Sequence, residues 1–142
     1  STFNDGQGRI RRLFENYPAV EQEYFSRTGI FPIMHVIAMR RDVYQRSPWI
    51  AQSLLKAFTR AKALACDQLS DSGALYCMLP WLGRHLDETR RLMGSDFWPY
   101  GLDRNTRTLE TFLRYSFEQG LSKRQLKPEE IFAPESLETF KV

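Results

Sequence analysis

The chain has 142 residues, enough for one domain with a real core but not for two. Apolar residues make up 42% and aromatics 13%, a composition that folds rather than staying disordered. The net charge of +3 comes from 20 basic and 17 acidic side chains; they interleave without a long basic run, which argues against a nucleic-acid surface.

The arginines fall in small groups: Arg9, Arg11 and Arg12; Arg40 and Arg41; Arg90 and Arg91; Arg104 and Arg107. Such groups are most often solvated helix faces, and one or two of them can instead meet an anion. No stretch reaches the roughly 18 apolar residues needed to span a bilayer. The opening STFNDGQG is polar and does not read as a signal peptide. Cys66 and Cys77 lack metal-ligand spacing and read as two reduced thiols rather than a disulfide, which favours a cytoplasmic location.

In chain order, residues 1–9 read as an irregular lead-in. Ile10, Leu13 and Phe14 suit a short helical turn. Pro18 fits the first position of a helix that runs to about Arg27 and ends at Gly29. Ile33, Met34, Val36, Ile37, Ala38 and Met39 then form an apolar run broken only by His35. That pattern predicts a strand covered on both faces, as in a parallel sheet flanked by helices. A polar group there needs a partner or a task, because burying it unpaired costs about 1–3 kcal/mol.

Asp42 to Arg46 suits a helical turn. Ser47 and Pro48 suit the start of a long helix, with Ile50, Leu54, Phe58, Ala61 and Ala65 as its apolar stripe. Ala74 to Leu79 fits helix or strand equally well and stops at Pro80. Arg84 to Met93 predicts a polar helix closed by Gly94, and Asp96 to Leu102 (DFWPYGL) a rigid aromatic loop. Asp103 or Asn105 can cap the next helix, whose inner face would carry Leu109, Phe112, Leu113 and Ser116, with Gly120 just past its end. Pro128 and Pro134, each followed by acidic residues, start two further turns. Several helical pieces thus stand against one confident strand. A lone strand leaves its ladder groups unpaired, so its neighbours should come from outside this sequence or from a second copy.

The segments IRRLF (10–14), TGIFPIMHVIAMRRDVY (28–44), PWIAQSLLKAF (48–58), MLPWL (78–82), FWPYGL (97–102), NTRTLETFLRYSFEQGL (105–121) and FAPESLETFK (132–141) occur in this order. Together they resemble the C-terminal portion of the 4,5-dihydroxyphthalate decarboxylase family. The resemblance implies an α/β, mainly helical piece of a two-lobed, type 2 periplasmic-binding-protein-like fold, with few strands of its own. Family members are more than twice this length, so the resemblance implies a missing N-terminal lobe. It also implies a carboxy-lyase that needs the missing part for activity. The same fold serves non-catalytic receptors for small anions, which would be periplasmic, and an inactive fragment is a third reading.

The implied reaction removes one carboxylate from 4,5-dihydroxyphthalate by protonating the ring, giving 3,4-dihydroxybenzoate. It needs a proton donor, cations for two carboxylates and an apolar wall, but no organic cofactor, because the substrate supplies its own electron sink. A divalent ion at the hydroxyl pair remains open, although the sequence contains no ligand cluster for one. His35 is the candidate donor, since an imidazole can give and take a proton near neutral pH; it also reads as a satisfied histidine in a core strand. Arg40 and Arg41 can hold carboxylates in bidentate fashion, or pair with Asp42. Phe31, Trp98 and Tyr100 can line the ring, or simply pack. His85 reads as a surface residue. The partners expected are a small aromatic carboxylate and either a second copy of the chain or the missing lobe, with neither nucleic acid nor membrane.

Overall fold

The computed structural model describes residues 11–137. Among them are five α-helices and two 3-10 turns, and no strand. The chain divides into two compact units, Ser1–Phe31 and Pro32–Val142.

In the first unit, α1 spans Tyr17–Thr28 with Pro18 in its first turn. Gly29 ends it at φ 65°, a left-handed conformation that glycine adopts without strain, and its N–H donates to the Phe25 carbonyl at 2.6 Å. Leu13 and Phe14 lie in exposed bends rather than in the expected helical turn, and Ile10 is outside the described residues.

The second unit opens with the largest departure from expectation. Residues 32–40 form no strand and carry no ladder. Val36 and Ile37 keep 66% and 65% of their surface in contact with solvent, and His35 is exposed beside them. The reason lies in the pairing requirement itself. A strand's apolar side chains are covered, and its N–H and C=O groups satisfied, only by neighbouring strands, and the described residues supply none. Ala74–Leu79 is likewise neither helix nor strand; it follows a series of bends between Gly73 and Pro80.

The helices that follow match the sequence closely. α2 is Arg41–Arg46 and α3 is Trp49–Ser70. Ser47 does not open α3. It closes α2 instead, donating its N–H to the Val43 and Tyr44 carbonyls, and α3 begins after Pro48. The partly covered face of α3 is Ala51, Leu55, Thr59, Lys62, Cys66 and Leu69, with Ile50, Leu54 and Ala65 beside it, whereas Phe58 and Ala61 of the expected stripe are exposed. Both cysteines are free.

α4 covers Leu82–Met93, stopped by Gly94, and α5 covers Thr106–Glu118. Beyond α5, Gly120 at φ 72° lets its N–H reach Phe117 and the Leu121 N–H reach Ser116, a Schellman closure. The core of the unit is small: Leu86 of α4, Leu102 of the intervening loop, and Leu109 and Leu113 of α5, the last two only 5% and 6% exposed. Phe112 stands about 60° round the helix from Leu109 and stays exposed, unlike the inner position expected for it. α3 packs against α4 and against the turn Pro134–Ser136, while α5 packs against the turn Pro128–Glu130. No helix of the described residues is long and apolar enough to cross a membrane.

Candidate functional site

Apart from Phe31, the residues singled out from the sequence as site candidates fall in two places within the second unit. The first is the junction from His35 into α2. Arg40, at the mouth of α2, closes on Asp42 through two contacts, Nε–Oδ1 and Nη2–Oδ2, both 3.0 Å. Arg46 adds a longer contact of 3.4 Å to the same carboxylate. Asp42 therefore already occupies the bidentate face of Arg40, as one of the two sequence readings has it. Arg41 is exposed and makes no ion pair with a described acid. One turn on, the Tyr44 hydroxyl donates to Glu135 Oε2 at 2.7 Å, tying α2 to the Pro134–Ser136 turn. That hydrogen bond to a carboxylate holds the Tyr44 phenol above its ordinary pKa.

The second place is the aromatic loop between α4 and α5. Its geometry centres on Lys62, which sits in the middle of α3 with its side chain only 17% exposed. The ammonium donates to Asp96 Oδ1 at 2.8 Å and to the Trp98 carbonyl at 3.1 Å. It also stands 5.0 Å from the centre of the Tyr100 ring, within cation–π range. The other oxygen of Asp96 faces Arg104 Nη1 at 3.8 Å. From the far side, the Asn105 amide donates to the Pro99 and Gly101 carbonyls at 2.9 and 2.8 Å. Asn105 thus ties the N-terminal flank of α5 to the loop through its amide N–H groups, and its side chain makes no capping hydrogen bond. Leu102 is buried at the loop's end. The loop is fixed at its backbone, while the Trp98 and Tyr100 rings remain accessible.

This second cluster joins two cations and one carboxylate beside two aromatic faces. Such an arrangement suits a planar anion, the rings offering stacking and the excess positive charge an attraction. His35 is exposed and is not part of it, and Phe31 belongs to the first unit. His85 sits exposed on α4 with Nδ1 4.0 Å from Glu88. A recess of about 410 Å³ is lined by Arg11, Arg12, Leu13 and Glu15, and it contains none of the residues singled out for the substrate. Among the described residues no three His, Cys, Asp or Glu side chains gather as a metal cluster would require.

Sequence reasoning missed Lys62 altogether and named Arg104 only as part of a basic pair. Lys62 is one of three cations on α3 with Lys56 and Arg60, and its spacing does not mark it out. Ala61 and Ala63 beside it are exposed and do not share its face, so no local signal marks Lys62 out.

No protein-family model matches the chain. Its sequence is similar to that of 4,5-dihydroxyphthalate decarboxylase from Comamonas testosteroni, with 40% identity over 142 residues. The match takes in all of this chain and 43% of that protein. The chain is decarboxylase-like in sequence throughout, and it spans less than half the length of the relative it matches.

Proposed function

We propose that this chain forms part of a carboxy-lyase that converts 4,5-dihydroxyphthalate, or a closely related aromatic dicarboxylic acid, to the monoacid and CO2. The observation that carries this reading is the identity of 40% sustained over all 142 residues with a protein of that name. A clustered motif match could reflect fold alone, whereas similarity along the whole chain also takes in the segments that bear the candidate site.

In this reading His35, as the imidazolium, delivers its proton to the ring carbon that bears the departing carboxylate. The hydroxyl para to that carbon supplies the electron pair for the new C–H bond. The carbon–carboxylate bond then breaks, its electrons restore the aromatic ring, and CO2 leaves. The imidazole regains its proton from water. Arg41 is better placed than Arg40 to hold a substrate carboxylate, since Arg40 would first have to release Asp42. Trp98 and Tyr100 supply the wall for the ring, a role that requires their loop and the His35 segment to meet at one substrate in the longer protein, and Phe31 enters on its sequence context alone.

The exposed run around His35 takes its place in the same reading. In the longer protein it would be an inner strand of a type 2 periplasmic-binding-protein-like lobe, covered by segments outside the present sequence. Two free cysteines accord with a reducing, cytoplasmic setting.

The test is His35→Gln in the full-length protein, with CO2 release from 4,5-dihydroxyphthalate as the readout. Turnover should fall by about 100-fold or more if a positioned proton donor is removed. Undiminished turnover removes His35 from the mechanism. A parent protein that binds the diacid but releases no CO2 would instead identify an anion-binding module.

A further inference from the structure

Lys62 has no place in the reaction as written, yet it bonds two groups of the aromatic loop and stands beside a third. An ammonium has three N–H bonds and no more. Here it donates to the Asp96 carboxylate and to the Trp98 carbonyl, and the Tyr100 ring lies 5.0 Å away, within cation–π range. All three partners belong to the seven-residue loop Asp96–Leu102, and the lysine comes from a different element, α3. With two hydrogen bonds made inside the loop and its side chain largely covered, Lys62 serves the loop before it can serve a substrate acid. What it fixes is the path of the loop that carries both exposed rings.

We propose that Lys62 is a positioning residue: by bonding Asp96 and the Trp98 carbonyl and facing Tyr100, it holds the aromatic loop in the shape that receives the ring of an aromatic carboxylate. This rests on the reading of Trp98 and Tyr100 as the ring wall. Asp96 is the second half of the device. It neutralises Lys62 and leaves the more exposed Arg104, 3.8 Å from its other oxygen, as the cation that can reach outward. Losing Lys62 removes the shorter of the Lys62 and Arg104 contacts to Asp96, and with it the Lys62 hydrogen bond to the Trp98 carbonyl. The loop should then sample open conformations while the rest of α3 is unaffected.

The experiment uses the full-length protein labelled with 5-fluorotryptophan, the Trp98 fluorine resonance being assigned by its loss in Trp98→Phe. In Lys62→Met the solvent-isotope shift of that resonance should rise by about twofold as the loop opens. Phthalate, titrated as an unreactive probe, should bind roughly tenfold more weakly, and KM for 4,5-dihydroxyphthalate should rise to match with kcat within about a factor of two. Lys62→Arg should recover most of both effects, because a guanidinium can still bridge the carboxylate and the carbonyl. Asp96→Asn, which keeps the side-chain volume, serves as the second probe should Lys62→Met not fold. An unchanged Trp98 resonance in a folded Lys62→Met protein overturns the latch, and a loosened loop with unchanged phthalate affinity overturns its role in binding. Weakened phthalate binding in a protein that never releases CO2 leaves the latch standing and removes the decarboxylase reading instead.

Discussion

Two stretches of the second unit end in opposite states, and the one richer in apolar residues is the one left uncovered. Residues 82–118, from α4 through the aromatic loop to α5, bury Leu86, Leu102, Leu109 and Leu113 against one another. Residues 32–40 leave Ile33, Met34, Val36 and Ile37 facing water. The difference is where the hydrogen-bond partners come from. A helix satisfies its backbone internally and needs only one covered face, so α4 and α5 complete themselves with a loop between them. An extended segment satisfies nothing by itself, and its hydrophobicity has no effect until another strand lies beside it. Apolar content therefore indicates where a core will form, and backbone chemistry indicates whether this chain alone can form it.

The contrast can be broken most forcefully at the buried end. Leu113→Ala should destabilise the chain by about 2–4 kcal/mol in urea unfolding, the range for emptying a covered leucine site. A value near zero would mean the small leucine core does not hold the unit. Gly120→Ala comes next. With φ at 72° and open space around the missing Cβ, backbone strain is the whole effect, about 1–2 kcal/mol by the same measurement. At the exposed end, Val36→Ala and Ile37→Ala should each shift stability by no more than about 0.5 kcal/mol. The same substitutions in the full-length protein should cost far more if the segment is an inner strand there. Equal small effects in both proteins would place it on the surface in both.

The smallest expected effect is at the α2 contact. The hydrogen bond to Glu135 raises the Tyr44 pKa above its ordinary value. A group whose folded pKa is raised contributes stability that is fully present below its unfolded pKa of about 10 and is lost as pH rises through the folded value. Stability should therefore decline in the alkaline range, and Tyr44→Phe should flatten that decline while leaving the acid side unchanged. The acid side has its own reporter in Glu130, whose carboxyl is lowered first by the Lys127 backbone N–H and then by Arg124. Its contribution is present at neutral pH and is lost as pH falls through the lowered value, so Glu130→Gln should soften the acid limb alone.

The sequence by itself determined the helices and their ends. Pro18, Gly29, Gly94 and Gly120 act through their own φ preferences, and the leucine spacing of α5 marks its buried face whatever lies opposite. It also determined the likeness to a decarboxylase, which resides in residue order rather than in geometry. Only the tertiary structure decided which face of α3 is covered. Periodicity chose Ile50, Leu54, Phe58 and Ala61 because they are apolar, but the loop it meets brings a carboxylate and a carbonyl, and so selects the face with Lys62. It likewise decided that the run around His35 stays uncovered. Each of those outcomes depends on what stands across a gap, and local sequence carries no information about a partner that approaches through space.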